Sequence, residues 1–441
     1  NGASSEGGPS GMVNVNMWHN NRTSSVEEQL AVIDELGGPK HFNHFAWGWT
    51  FAGNTPFRRW KRETYRGGTS DPFIVSWPKG IAARGEVRSQ YCHAIDMVPT
   101  VLDALGIEAP TAIRGVTQSP IEGFSLTSCF ADPGAPSLHL TQYFEMFGHR
   151  SLYHEGWRAV CPWPGTSFVE SGRRFGDPIS YDELIQLDAH GWELYNLHED
   201  FAETNNLAAQ ERERLIAMIG MWYVEAGKYN VLPIDSRGTQ RFAVERPQIT
   251  ADRQRYIYYP GTQMVPANAA PRVLNRPHSL SVEVEVPEGG AEGVLFSMGG
   301  NDGGFAFYVQ NGQLTYGYNY VAEQFFRVRS SGPIPAGHHI VSAEFTPTGP
   351  ADLANGKGTP AKVVLFLDGQ PVGEGELPVT IPLSLGLAAG VAVGADPGSP
   401  AMPDYKPPFA YAGHIKRALV DVSGTPVVDL KEQMRQILAR Q

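Results

Sequence analysis

The pattern of apolar and polar positions divides this chain into two textures. From Pro277 onward the order is strict alternation: SLSVEVEV, then GVLFSM, GGFAFYV, LTYGYNY, HHIVSAEF, AKVVLFLDGQPVG and HIKRALVDV. A period of two puts one face of each segment into a core, and the Asn-Gly and Asp-Gly pairs between segments are hairpin turns. The spacing predicts an all-β sandwich over residues 277–425, with a short terminal helix over 426–441. Before Pro277 the period is mixed. SVEEQLAVIDELGG places Ser25 three residues before Glu28, a capping box, with Val26, Leu30, Ile33 and Leu36 on one face. Pro72–Trp77 (PFIVSW) reads as a fully buried strand entered by a turn at Gly67-Gly68, and Asp96–Leu105 as a short helix stopped by Gly106. Shorter strands in LHLTQYFEMF, WRAVCPW and GWELYNL suit a small antiparallel sheet, closed by a helix over 205–225 with apolar Leu207, Leu215, Met218, Ile219 and Trp222.

Residues 228–276 have no clear period and hold seven arginines against three acids, with five prolines as breakers. They read as an extended linker whose arginines partner the acidic first unit. The longest nearly apolar run, Leu383–Gly394, is short of the roughly 20 residues of a membrane helix and reads as a buried strand or turn.

Composition adds limits. A net charge of −11 over 441 residues gives no extended footprint for nucleic acid. Three dispersed cysteines, Cys92, Cys129 and Cys161, form no disulfide framework. The opening NGASSEGGPSG is a polar glycine loop without a charged-then-apolar leader, and the chain reads as a piece of something longer.

Candidate chemistry starts with that glycine loop and with Arg58, Arg59, Lys61, Arg62 and Arg66, since backbone amides beside a lysine suit an oxyanion such as sulfate or phosphate. His41 and His44 form an H-x-x-H without a third ligand nearby, which reads as loop packing rather than zinc. Trp47, Trp49, Phe51 and Trp60 suit either an aromatic pocket or core packing. In the sandwich, GGNDGG and the alternating Tyr316, Tyr318 and Tyr320 invite a calcium or sugar reading similar to laminin-G modules, against which stands ordinary packing of tyrosines on a sheet.

Four blocks, in order, resemble the sulfatase family: NGASSEGG, KRETYRGGTSDPFIVSWP, VPTVLDALGI and WELYNLHEDFAETNNLA. The resemblance runs over most of residues 1–226 and is closest to the larger bacterial arylsulfatases, which carry an additional C-terminal domain. It implies an α/β fold: residues 1–227 would be the C-terminal part of an alkaline-phosphatase-like sulfatase domain, followed by a 228–276 linker and a concanavalin/laminin-G-like sandwich. It implies a sulfuric ester hydrolase acting on small-molecule or glycan sulfate esters with a divalent cation, usually calcium. Asn1 would be an amide-oxygen ligand of that cation and Lys61 the lysine that contacts the sulfate group. The family's formylglycine nucleophile arises in a Cys/Ser-x-Pro-x-Arg motif. Here Cys161-Pro162-Trp163-Pro164-Gly165 is the nearest approach and lacks the arginine. The nucleophile would then lie in a preceding N-terminal half, and these residues alone would not turn over. A phosphodiester or phosphonate hydrolase of the same superfamily and a non-catalytic glycan-binding module are the alternatives.

Overall fold

The computed structural model describes residues 2–82, 85–163, 180–236, 253–266, 269–386 and 390–428. The chain divides into two compact units, residues 1–5 with 48–238, and residues 6–47 with 239–441.

In the first unit a two-residue hairpin, β1 (Ala112–Ile113) and β2 (Val116–Thr117), precedes a four-stranded antiparallel sheet in sequence order: β3 (Thr141–Met146), β4 (His149–His154), β5 (Trp157–Cys161) and β6 (Glu193–Asn196). The helix Arg212–Lys228 packs on this sheet through Leu215, Met218, Trp222 and Ala226, against Leu152, Ala159, Trp192 and Leu194. The sheet and its closing helix match the reading of the sequence, except that β4 is absent from it. His-Arg-Ser in β4 looks like surface, yet all three are buried. Arg150 manages this by donating to Asp188 (2.5 Å) and the Tyr223 hydroxyl (3.1 Å) while its guanidinium lies over the rings of Trp192 and Trp222.

Helix Met97–Leu105 ends at Gly106 in the left-handed region (φ +65°), as expected. Asp96 before it is fully buried, accepting from the amides of His93 and Phe124 and pairing with His139 at 2.9 Å. Pro72–Trp77 differs from expectation. It makes no strand pairing among the described residues, and its apolar side chains are exposed, Ile74 by 87%. An extended apolar segment becomes a strand only where a neighbour completes the hydrogen-bond ladder. The sheet pairings of this unit are all antiparallel, so the parallel α/β layer implied by the resemblance is not among its described residues.

The second unit is a sandwich of two antiparallel sheets. Its strands are β7 (Arg255–Tyr258), β8 (His278–Val286), β9 (Gly293–Gly300), β10 (Gly303–Gln310), β11 (Gln313–Tyr320), β12 (Gln324–Pro333), β13 (Gly337–Pro347), β14 (Ala361–Leu367), β15 (Gln370–Leu377), β16 (Val391–Val393) and β17 (His414–Asp421). One sheet runs β12-β11-β10-β9-β16 and the other β15-β14-β13-β8-β17-β7. The alternation in β8 is realised as predicted, with Leu280, Val282, Val284 and Val286 inward and Glu283 and Glu285 outward. The Asn311-Gly312 and Asp368-Gly369 pairs take the positive φ that two-residue hairpin turns demand. By contrast β9 to β11 are buried on both faces. A segment carrying Ala401, Met402 and Tyr405 covers the outer face against Val294, Ala306 and Tyr308. Asp404 of that segment accepts from Arg327 Nε (2.7 Å) and the Tyr308 hydroxyl (2.5 Å). Tyr316, Tyr318 and Tyr320 point into the core between the sheets, so they offer no sugar-binding face.

Two features enlarge this unit beyond residues 277–425. The segment read as linker supplies β7 as an edge strand, and two of its described arginines pair within this unit: Arg255 with Asp421 (2.8 Å) and Arg276 with the Gly424 carbonyl (2.6 Å). The expected terminal helix falls largely outside the described residues.

The asparagine-rich stretch Asn14–Asn21 also belongs here. Asn16 donates to the Asp302 carbonyl (2.8 Å), Asn14 to Val321 (3.3 Å) and Asn21 to Leu353 (3.1 Å). Asn20 donates to the Ser384 carbonyl and accepts from the amides of Leu383 and Ser384 (2.8, 3.0 and 2.9 Å). Between them Met17 enters the sandwich core.

Two outcomes follow for this unit. Asn20→Ala removes side-chain bonds to four backbone groups, the carbonyls of Asn16 and Ser384 and the amides of Leu383 and Ser384, and should cost about 2–3 kcal/mol, read as a lower urea midpoint at unchanged slope. Burial lowers the His278 pKa from 6.5 to about 4. Between those values the unfolded chain binds the proton and the folded one refuses it, so stability falls as pH drops through this window. His278→Phe keeps the ring stack on Phe345, 4.5 Å between centroids. Its melting profile should be flatter than wild type between pH 6.5 and 4.

Candidate functional site

The region around Lys61 is built from close backbone contacts. Ahead of it, the segment Gly2–Ser5 runs alongside: the Lys61 amide donates to the Ala3 carbonyl (3.1 Å), and the Ser5 hydroxyl donates to the Lys61 carbonyl (3.4 Å). The Gly2 amide donates to Asp71 (2.9 Å). A Cβ on Gly2 would stand 1.8 Å from the Gly67 carbonyl oxygen, and one on Gly68 would stand 1.9 Å from that of Glu63. The Gly-Gly pair therefore serves close packing of backbone on backbone, inside the short helix Arg66–Thr69, rather than the turn read from the sequence. On either side of Trp60-Lys61 the chain is strained: Arg59 and Arg62 take φ of 62° and 90°. Non-glycine residues persist there only when the surroundings over-determine them.

Those surroundings are a buried ion network that joins this loop to the sheet. Glu203, fully buried, accepts from the Arg66 amide (2.8 Å) and pairs with Arg158 Nε (3.2 Å). Arg158 also donates to the Thr64 carbonyl and to the hydroxyls of Thr69 (2.8 Å) and Ser151 (3.1 Å). Arg58 donates to the Tyr195 hydroxyl (2.7 Å) and the Glu203 carbonyl (3.2 Å), and Tyr65 donates to Glu193 (3.0 Å). Burial pushes the Glu203 carboxyl up, against the pull of Arg158 and Arg66. Burial would lower Arg58, but Tyr195, Tyr65 and Glu193 outweigh it and raise its pKa. The network holds Lys61 in a fixed, half-buried loop.

The sequence-predicted residues sort as follows. Gly2–Ser5 lies against Lys61, while Asn1 itself is outside the described residues. Arg58 is a structural ion of the network. His41 and His44 separate, to Glu35 (3.1 Å) and Glu6 (3.8 Å), and do not form a metal pair. Trp60 is fully buried, whereas Trp49 is 73% exposed. Cys161 is a free buried thiol whose pKa burial raises to about 12, so it stays protonated at neutral pH. Among the described residues no group of three or more His, Cys, Asp or Glu is placed to hold a metal. Sequence reasoning missed Arg158. Its signal is an arginine amid the apolar residues of WRAVC, which a strand tolerates only with a buried partner.

Comparison with known proteins bears on the same segment. Residues 21–107, which include Lys61 and the Gly-Gly pair, match the sequence model of the sulfatase family. This stretch is sulfatase-like. The chain is 30% identical over 183 residues to N-sulphoglucosamine sulphohydrolase of Homo sapiens, 36% of each chain. A sulfatase of Formosa agariphila is 28% identical over 157 residues, 36% of this chain and 26% of its own. The chain thus spans about a third or less of those two relatives. Among solved structures, a Bacteroides thetaiotaomicron protein described with a glycosaminoglycan-metabolising locus aligns at 18% identity over 41% of this chain and 34% of its own, TM-score 0.30. The CBM40 module of a Ruminococcus gnavus sialidase, bound to sialyllactose, aligns at 15% over 42% of this chain and 95% of its own, TM-score 0.27. Scores this low carry no fold assignment, and the sandwich rests on its own strand pairing. The blocks NGASSEGG and WELYNLHEDFAETNNLA lie outside the matched sulfatase segment, yet their residues Gly2, Tyr195 and Glu203 pack onto it.

Two substitutions test this construction. Glu203→Gln leaves Arg158 without its carboxylate and should cost about 3–5 kcal/mol in urea denaturation, the penalty of breaking a buried pair. Gly68→Ala should expose the Lys61 loop to rapid amide hydrogen exchange while the sandwich amides stay protected.

Proposed function

We propose that this chain forms part of a sulfuric ester hydrolase of the arylsulfatase type, in which Lys61 binds the sulfate group. A lysine ammonium held in place neutralises charge that grows on the sulfate oxygens as the S–O bond breaks, and it does so without reorganising during the reaction. The observation that carries this reading is the Lys61 loop. It lies in the segment that matches the sulfatases, is flanked by two strained arginines and is pinned by Gly2–Ser5 on one side and the Glu203–Arg158 network on the other.

In this proposal Asn1 is one oxygen ligand of a divalent cation, calcium by resemblance. A formylglycine from a preceding N-terminal half would supply the nucleophile. That half, completing an alkaline-phosphatase-like domain, is also the proposed cover for the exposed apolar residues of the first unit. Phe73, Ile74, Val75 and Trp77 on the extended segment, with Met97, Val98, Val101 and Leu105 on the following helix, are 38–87% exposed. Bare apolar area on this scale marks an interaction face. Substrates would be small-molecule or glycan sulfate esters.

The test is Lys61→Ala in a full-length protein containing this chain, assayed with 4-nitrophenyl sulfate. Turnover should fall by about two to three orders of magnitude, the scale of losing one charge-stabilising donor, with an unchanged melting midpoint. Wild-type kinetics in the variant would remove Lys61 from the site. Activity on bis(4-nitrophenyl) phosphate but not on the sulfate would move the protein to the phosphodiesterases. Glycan binding without either activity would leave it a binding module.

A further inference from the structure

Inside the sandwich, two buried polar atoms face one small cavity. His278 Nε2 and the Tyr316 hydroxyl are both sealed from solvent, and neither has a hydrogen-bond partner within the protein. Both residues line a void whose space for the centre of a water-sized sphere is about 10 Å³, together with Phe305, Tyr318, Phe345 and Thr380. That is room for about one water molecule and for nothing larger.

The chemistry of the two atoms is complementary. His278 Nδ1 lies 3.1 Å from the Arg276 carbonyl, which can only accept, so the ring proton is on Nδ1. Burial keeps the ring neutral by lowering its pKa to about 4, which leaves Nε2 as a lone-pair acceptor. Tyr316, 1% exposed, brings a hydroxyl that must donate to something, and burial raises its pKa so that it keeps that proton. The neighbouring Tyr318 hydroxyl already accepts from the Ile381 amide (3.0 Å), and its own hydrogen remains to be placed.

We propose that this cavity is a structural water site, in which one buried water donates to His278 Nε2 and accepts from the Tyr316 hydroxyl, so tying β8 of one sheet to β11 of the other. An empty apolar void would stay dry, but here two orphaned polar groups are satisfied together by a single molecule that fits. The water would then add a polar bridge between the sheets in a cavity otherwise lined mainly by rings and aliphatic side chains, with Asn275 and Thr380 at its polar edge.

A crystal structure of the chain at a resolution that shows ordered water decides this directly. An electron-density peak within hydrogen-bond distance of both His278 Nε2 and Tyr316 Oη is expected. An empty cavity, or a direct His278–Tyr316 bond, overturns the proposal. A double-mutant cycle supplies the second readout. His278→Phe and Tyr316→Phe should each lower the melting midpoint of the sandwich, and the double variant should lie well above the sum of the two losses, because a site with both polar partners gone needs no water. Strict additivity would mean that no shared molecule links them.

Discussion

A carboxylate and a guanidinium removed from water persist only as partners, and Glu203 with Arg158 is the pair on which the first unit depends. Glu203 reaches the loop through the Arg66 amide, and Arg158 reaches it through the Thr64 carbonyl, so both ions bind the backbone that follows Lys61. The strain at Arg59 and Arg62 is tolerable because of this anchoring. The cost of a buried pair is thereby turned into a fixed position for one lysine, which a surface ion pair could not give.

The second unit solves the same problem with neutral groups. Its core would close on apolar alternation alone, but the loops at its rim expose carbonyls and amides at Asp302, Val321, Leu353, Leu383 and Ser384 that need partners once covered. Asn14, Asn16, Asn20 and Asn21 supply both donors and acceptors from one short stretch, and Met17 adds an apolar anchor between them. The segment around Met402 acts similarly on the outer sheet face, where a Cβ on Gly317 would stand 2.7 Å from the Met402 side chain and force it to shift.

Much of this was legible beforehand, for definable reasons. Strand alternation in β8, the Asn-Gly and Asp-Gly hairpins, the Ser25 capping box and the Gly106 helix stop are all local, and each depends on a residue's own preferences within a few positions. The resemblance to sulfatases picked out the segment of Lys61 and the Gly-Gly pair, which lies within the matched residues 21–107. Pro72–Trp77 misled because an apolar run states only that a segment wants covering, without saying that a partner strand is present. β4 was invisible because burial of His149, Arg150 and Ser151 depends on partners distant in sequence or on other strands: Glu63 for His149, Asp188 and Tyr223 for Arg150, and Arg158 for Ser151.

By itself, then, the sequence determined the two textures of the chain, the sandwich, the small sheet with its closing helix and the sulfatase-like loop that presents Lys61. Only tertiary structure decided that the Gly-Gly pair serves backbone contact, that Arg58 and Arg158 are structural ions, that the three tyrosines face inward and that Asn14–Asn21 belongs to the sandwich. The physical reason is common to all four. A turn or an alternation is encoded within a few neighbouring residues, whereas the partner of a buried polar group or the clearance above a glycine is set by atoms up to hundreds of residues away.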